Sequence, residues 1–192
     1  MASFASSSSL NPQLEALVQA FEQAKAEARL LLTSSSEELL RKRPSPNSWS
    51  ALECVGHLNL GNEMMLKNIK QTITRAPELP KTPDRKYKMD LIGRLMVWSF
   101  EPGRIKLKAP AAIAKPVVHG GAQEALAEFE RHQNEAVELI RSAAGLAIDR
   151  CKMKSPFANI RYSAYSAFGI IAAHNRRHLW QARNAVNTVA KS

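Results

Sequence analysis

The stretch GIIAAHNRRHLWQARNAV, residues 169–186, carries two histidines four residues apart inside an alanine-rich, apolar run. Successive residues of an α-helix advance by roughly 100°, so His174 and His178 share a face about 40° wide. Ala167, Ile170, Ile171, Gln181 and Ala185 fall on the same side, and Arg177 lies at its edge. That side is the apolar stripe of an amphipathic helix, so both imidazoles are expected to point inward. Two readings fit. Histidines at i and i+4 are a bidentate platform for a metal ion, or they are two polar residues at a helix edge that bond to their neighbours.

Outward from this stretch, three more segments repeat apolar residues at steps of three and four. The first runs from Pro12 to Thr33, through Leu14, Leu17, Val18, Phe21, Ala24, Ala28, Leu31 and Leu32. SSSEELL suggests one more short turn before RPSPNSWS, where Pro44 and Pro46 cannot continue a helix. The second long segment starts at SWSALECVGHL. Ser50 reads as its N-cap and Glu53 as the other half of a capping box, and the helix is expected to reach about Arg75. The third runs from about Gln123 to Ala144, and the last from about Ser163 to Val189. No strand alternation stands out. The fold class is therefore all-α, and four helices of about 20 residues suggest a four-helix bundle. About 45 residues link the second and third helices. So long a link suits a crossover the length of the bundle, with those two helices parallel. MDLIGRLMVWSF, residues 89–100, reads as a short helix capping one end.

At 192 residues, 45% hydrophobic and 23% charged, the chain fits one soluble domain with a real core. No stretch approaches the roughly 20 apolar residues that span a bilayer. MASFASSSSLNP has neither the basic start nor the apolar centre of a signal peptide. Residues 1–9 read as a disordered serine-rich tail, residues 10–192 as the single domain, and the cytoplasm as its compartment. Cys54 and Cys151 are too few for a disulfide framework. The net charge is +10, and residues 81–118 hold nine basic against three acidic residues, a net +6. This charge sits on one long connection without the stacking aromatics of a single-strand binder, so nucleic acid is not the expected partner. Solubility or an anionic ligand accounts for it equally well.

His57 in the second helix shares its side with Cys54, Leu60, Gly61 and Met64, and is expected to face inward too. A lone inward histidine is usually a satisfied core residue. Three of them each need partners, and one divalent ion serves all three while leaving a coordination position open, as catalytic sites do. His119, beside GG, and His132, beside Arg131, read as surface residues.

A tryptophan-serine pair before a helix with an inward GHL, a long middle connection and a terminal HNRRHLWQ together resemble the DinB/YfiT-like superfamily of metal-dependent four-helix-bundle proteins. The resemblance extends from the first helix to about Val189. It implies an up-down-down-up bundle with a long crossover between helices 2 and 3. It also implies one divalent metal, typically zinc or nickel, on His57, His174 and His178. Proteins of this kind include thiol S-transferases for bacillithiol or mycothiol and a thiol-dependent isomerase, and dimers are common. Relatives often have His-Pro before the last helix where this chain has Ser155-Pro156.

The remaining candidates carry two readings each. Gln181 orients a metal-bound water or bonds within the core. Glu53 caps its helix or acts as a base. Cys54 ligates, reacts, or packs as a small hydrophobe. Arg176 and Arg177 bind an anionic substrate or are solvated. Tyr162 and Tyr165 pack, with hydroxyls at most at a pocket rim. The expected function is that of a transferase or hydrolase in which three histidines hold a metal that activates a water or a thiol. The alternative is a non-catalytic metal- or ligand-binding module. The expected ligand is a small anionic or thiol compound, entering between the residues around Trp49 and part of the basic connection.

Overall fold

A computed structural model describes residues 10–79, 85–105 and 118–191; the expected tail, residues 1–9, lies outside the described residues. Six helices follow in order: α1 (Pro12–Thr33), α2 (Glu37–Arg41), α3 (Ala51–Ile73), α4 (Leu91–Phe100), α5 (Ala122–Ser142) and α6 (Ala164–Val189). Two short strands, β1 (Lys152–Lys154) and β2 (Arg161–Ser163), precede α6.

Local chemistry sets the helix starts. Asn11 accepts from the Gln13 N–H ahead of α1, and Pro12 fills a first-turn position where no N–H is needed. The Ser50–Glu53 capping box closes in both directions, at 3.2 and 2.8 Å. At α5 no side chain caps from Gly121 itself. Glu124 accepts from the Gly121 N–H and Glu37 of α2 from the Ala122 N–H, both at 2.9 Å. Gly120 just before it has φ +71°, a left-handed conformation that favours glycine.

The four long helices α1, α3, α5 and α6 enclose the interior in two apolar strata. One gathers around Phe21, Ile69, Ile140, Tyr162 and Phe168; the other around Leu52, Leu58, Phe129 and Leu179. Between them lies a belt of buried polar side chains: His57, Asn59, Asn62, His132, Gln133, Asn175 and His178. Across it Asn62 donates to Asn175 at 3.3 Å, Asn175 donates to Gln133 at 2.8 Å, and Gln133 donates to the Phe129 carbonyl at 3.4 Å. This chain of amides ties α3, α6 and α5 together midway along their length.

The chain is mostly helical, as expected, with one addition: β1 and β2 form an antiparallel hairpin with Met153 opposite Tyr162. Three-residue strands are too short to display alternation in sequence. Residues 89–100 do not cap an end. Instead α4 lies lengthwise on the first half of α6, with Gly93 against Ser166, Val97 beside Gly169 and Phe100 on His174. The fit is close: a Cβ at Gly93 would fall 2.3 Å from the Ser166 Cβ. Asp90 pins this arrangement, accepting from Gly93 at 2.8 Å, Ser163 at 2.6 Å and Lys152 at 2.8 Å. His132 is buried rather than at the surface, with 1% exposure. Helix α5 packs on both α1 and α3, so its inward face is wider than a single stripe and includes the step from Phe129 to His132 to Ala136.

Candidate metal centre

His57 stands two turns into α3, and His174 and His178 lie one turn apart near the middle of α6. One ligating nitrogen from each lies within 4.8 Å of the others. The Nε2 atoms of His57 and His174 are 3.1 Å apart. Two imidazoles on one zinc at 2.0–2.1 Å would be separated by about 2.9 Å at a right angle and about 3.3 Å at a tetrahedral one. The observed spacing falls between these values, so this pair fits a single small cation, and the nitrogen of His178 lies within 4.8 Å of both.

Aromatic neighbours fix the rings. Trp49, just ahead of α3, stacks on His178 with centroids 5.7 Å apart and leans on His57 at 4.8 Å. Phe100, at the end of α4, meets His174 edge-on at 5.2 Å. Gly61, one turn after His57, faces His174: a Cβ there would stand 3.6 Å from its Cε1, an ordinary contact. Burial holds His174 well below the ordinary histidine range, with His178, His57 and Arg177 adding to the effect. Burial likewise pushes His178 down to about 3, aided by His57 and Arg177 and opposed by Gln181. Both rings are therefore neutral near pH 7, the state in which imidazole binds metal.

The histidines open onto a cavity of about 810 Å³. Asn47, Ser48 and Trp49 line one side of it, and Gly103, Arg104 and Ile105 of the middle connection another. Gln181 and Arg177 also line it. Arg177 is engaged, donating to the carbonyls of Ser99 at 3.1 Å and Ile105 at 2.5 Å, so it fastens the end of α4 to α6. Arg176 pairs with Glu101 outside the cavity lining. Ser155, standing where relatives often carry histidine, lines the cavity and accepts from the Phe157 N–H at 3.2 Å.

Other candidates fall elsewhere. Glu53 is a cap. Burial opposes its ionisation, but Arg43 and the Ser50 N–H outweigh that and hold the carboxyl below its ordinary range. It is absent from the described cavity lining. Cys54 is fully buried among apolar residues, and burial raises its thiol far above its ordinary value, which leaves it inert near neutral pH. Tyr162 lines the cavity but donates its hydroxyl to the Met65 sulfur at 3.3 Å; Tyr165 stacks on Tyr87, away from the cavity. His119 is exposed. Sequence reasoning missed Met65 of α3, and also Met96, Phe100 and Phe157, because α4 and the hairpin loop are brought to the cavity by tertiary packing alone.

The chain matches the DinB superfamily over residues 20–182 and belongs to it. Among solved structures it is similar to YfiT from Bacillus subtilis, described as "a probable metal-dependent hydrolase with an unusual four-helix bundle topology". The TM-score is 0.60 at 15% identity, over 94% of this chain and 90% of that one. At that identity the likeness concerns the fold, and identifies the four long helices as a four-helix bundle. A comparison with curated proteins finds no match. Among the described residues, no helix is long and apolar enough to cross a membrane.

Proposed function

We propose that this chain is a metal-dependent enzyme that holds one divalent ion, zinc or nickel, on His57, His174 and His178. The observation that carries this reading is three imidazole nitrogens within 4.8 Å of one another at the wall of an open cavity. A divalent ion held there would supply Lewis acidity, lowering the pKa of a water or thiol that it binds. The reaction is a hydrolysis or a thiol S-transfer. The description of YfiT favours the first.

The protein groups have distinct parts in this scheme. Trp49 and Phe100 hold the imidazoles in place and exclude bulk water. Gln181, one turn beyond His178, is the polar side chain placed to orient a nucleophile. Arg177 secures α4 and the start of the following connection. The ligand is a small molecule, with an anionic or thiolate end directed at the metal. One specific observation favours the second reading, a non-catalytic binding module: no carboxylate lines the cavity among the described residues, so no side-chain base supplements the metal.

The reading includes an up-down-down-up bundle with a crossover between α3 and α5. Contacts that support it are Lys25 with Asn134 and Arg29 with Glu130, His57 with His174, Asn59 with Ala125 and Glu128, and Glu27 with Arg183. Residues 10–192 form one domain, the compartment is the cytoplasm, and the chain is a homodimer.

Elemental analysis of the purified protein tests the centre. One equivalent of metal is expected per chain, and His174→Ala should lose most of it while keeping its helical circular dichroism. Full metal content in that variant would falsify the three-histidine assignment. Chelation should lower the melting temperature without unfolding the bundle; complete unfolding would make the ion structural instead.

A further inference from the structure

From the cavity walls we infer that the substrate has an apolar body, with its polar or anionic end confined to the histidines. This rests on the reading of the three histidines as a metal centre. The cavity follows the groove between α3 and α6 away from that centre. His57, Gly61 and Met65 line it at successive turns of α3, a run of about 12 Å at 1.5 Å per residue. Ile170 and Ile171 continue the wall on α6, Met96 and Phe100 come from α4, and Phe157 comes from the hairpin loop. At about 810 Å³ the space far exceeds what a water or a simple thiol needs, and lies in the range that takes up a whole organic molecule.

Several polar groups along this wall are already engaged within the protein, and Asn47, Ser48 and Gln181 lie at the end beside Trp49 and the histidines. The Asn62 amide donates to Asn175, the Tyr162 hydroxyl to Met65, and the Arg177 guanidinium to two backbone carbonyls. The Ser155 hydroxyl accepts from Phe157 N–H. Arg104 is exposed at the rim, near the Trp98 ring. Among the described residues no Asp or Glu lines the cavity. A ligand with polar groups along its body would lose its hydration and find few partners in exchange. An alkyl or aryl body loses nothing of that kind and gains contact with apolar walls. Met65 and Met96 widen the range of shapes accepted, because methionine side chains repack readily.

The test uses the full-length zinc-loaded protein and two probe series, n-alkyl hydroxamates and n-alkyl alcohols, from two to ten carbons, measured by calorimetry. The hydroxamate supplies a metal-binding head and the alcohol does not. Within each series Kd should tighten about fourfold per added methylene until the chain fills the groove. Met65→Trp, which fills the middle of the groove, should flatten that dependence while short hydroxamates bind as before. Met96→Trp provides the same test from α4 should the first variant fail to fold. Affinity that is flat with chain length in the wild-type protein overturns the apolar-body inference, even where hydroxamates outbind alcohols. The converse result, a chain-length dependence with no hydroxamate advantage and no effect of His174→Ala, removes the metal reading and leaves the apolar groove. A dependence that survives both tryptophan variants places the chain elsewhere and also overturns the inference.

Discussion

Replacing His132 with leucine should abolish a specific acid sensitivity of the fold. His132 is 1% exposed on α5. Its Nε2 lies 2.9 Å from the Arg131 guanidinium. Guanidinium can only donate, so Nε2 accepts and the ring proton sits on Nδ1, which is buried without a hydrogen-bond partner. Burial, and then the Arg131 charge, push this histidine from 6.5 down to about 4. A histidine whose folded pKa is depressed binds its proton more readily in the unfolded chain. Its stabilising contribution is therefore complete above about pH 6.5 and is lost as pH falls from there toward 4. Between pH 7.5 and pH 5 the loss is about 2 kcal/mol, at 1.36 kcal/mol per pH unit once the unfolded group is protonated. With a urea m-value near the upper end of the small-protein range, the midpoint should fall by roughly 0.8 M. His174 and His178 also respond to acid, but identically in wild type and His132→Leu, so the difference between the two proteins isolates His132. At pH 7.5 the variant should be as stable as wild type or more so, because it removes an unpartnered buried N–H. Equal pH dependence of the urea midpoint in the two proteins would refute the reasoning.

Two further outcomes follow from the packing. Gly93→Ala should destabilise the protein by about 1–3 kcal/mol, because the new methyl would meet Ser166 on the facing helix and push α4 away; an unchanged melting temperature would show that α4 is not seated on α6 as described. Asn175→Leu should cost about 2–4 kcal/mol in urea unfolding, since it strips partners from both Asn62 and Gln133 in the buried belt; a neutral or stabilising result would mean that this belt contributes nothing to stability.

Much of the bundle was legible because long amphipathic helices write their burial in period. The start and end of α1 follow from Asn-Pro at one end and a polar serine run at the other, and Ser50 with Glu53 announces α3. The misses share one cause: they depend on what an element packs against. MDLIGRLMVWSF reads as a helix from its composition, but its place along α6 depends on the absence of side chains at Gly93 and Gly169, which a periodic pattern does not weigh. Leu126, Phe129 and Gln133 suggest one narrow stripe that leaves His132 at the surface, whereas α5 is covered on two sides. The hairpin is too short for any pattern to form.

The candidate site divides in the same way. The histidines were accessible to sequence reasoning because two of them share one helix and the third lies on a readable apolar face. Their chemistry, though, is set by residues that sequence spacing cannot connect. Trp49 stacks on His178 from 129 positions away, and Phe100 reaches His174 across 74. The same holds for the cavity. Its cationic reading came from the net charge of the middle connection, which is a property of composition. Yet the cation of that face that sequence analysis singled out, Arg177, points its donors at the carbonyls of Ser99 and Ile105. A guanidinium held by two carbonyls fixes a wall and leaves little for a ligand. In the proposed reading the anionic end of a ligand is therefore directed at the three histidines, and Arg104 is the other cation on the described cavity lining. On the inference drawn above, the length of the ligand would be governed by the apolar side chains of α3, α4 and α6, and that division of labour is what the chain-length series measures.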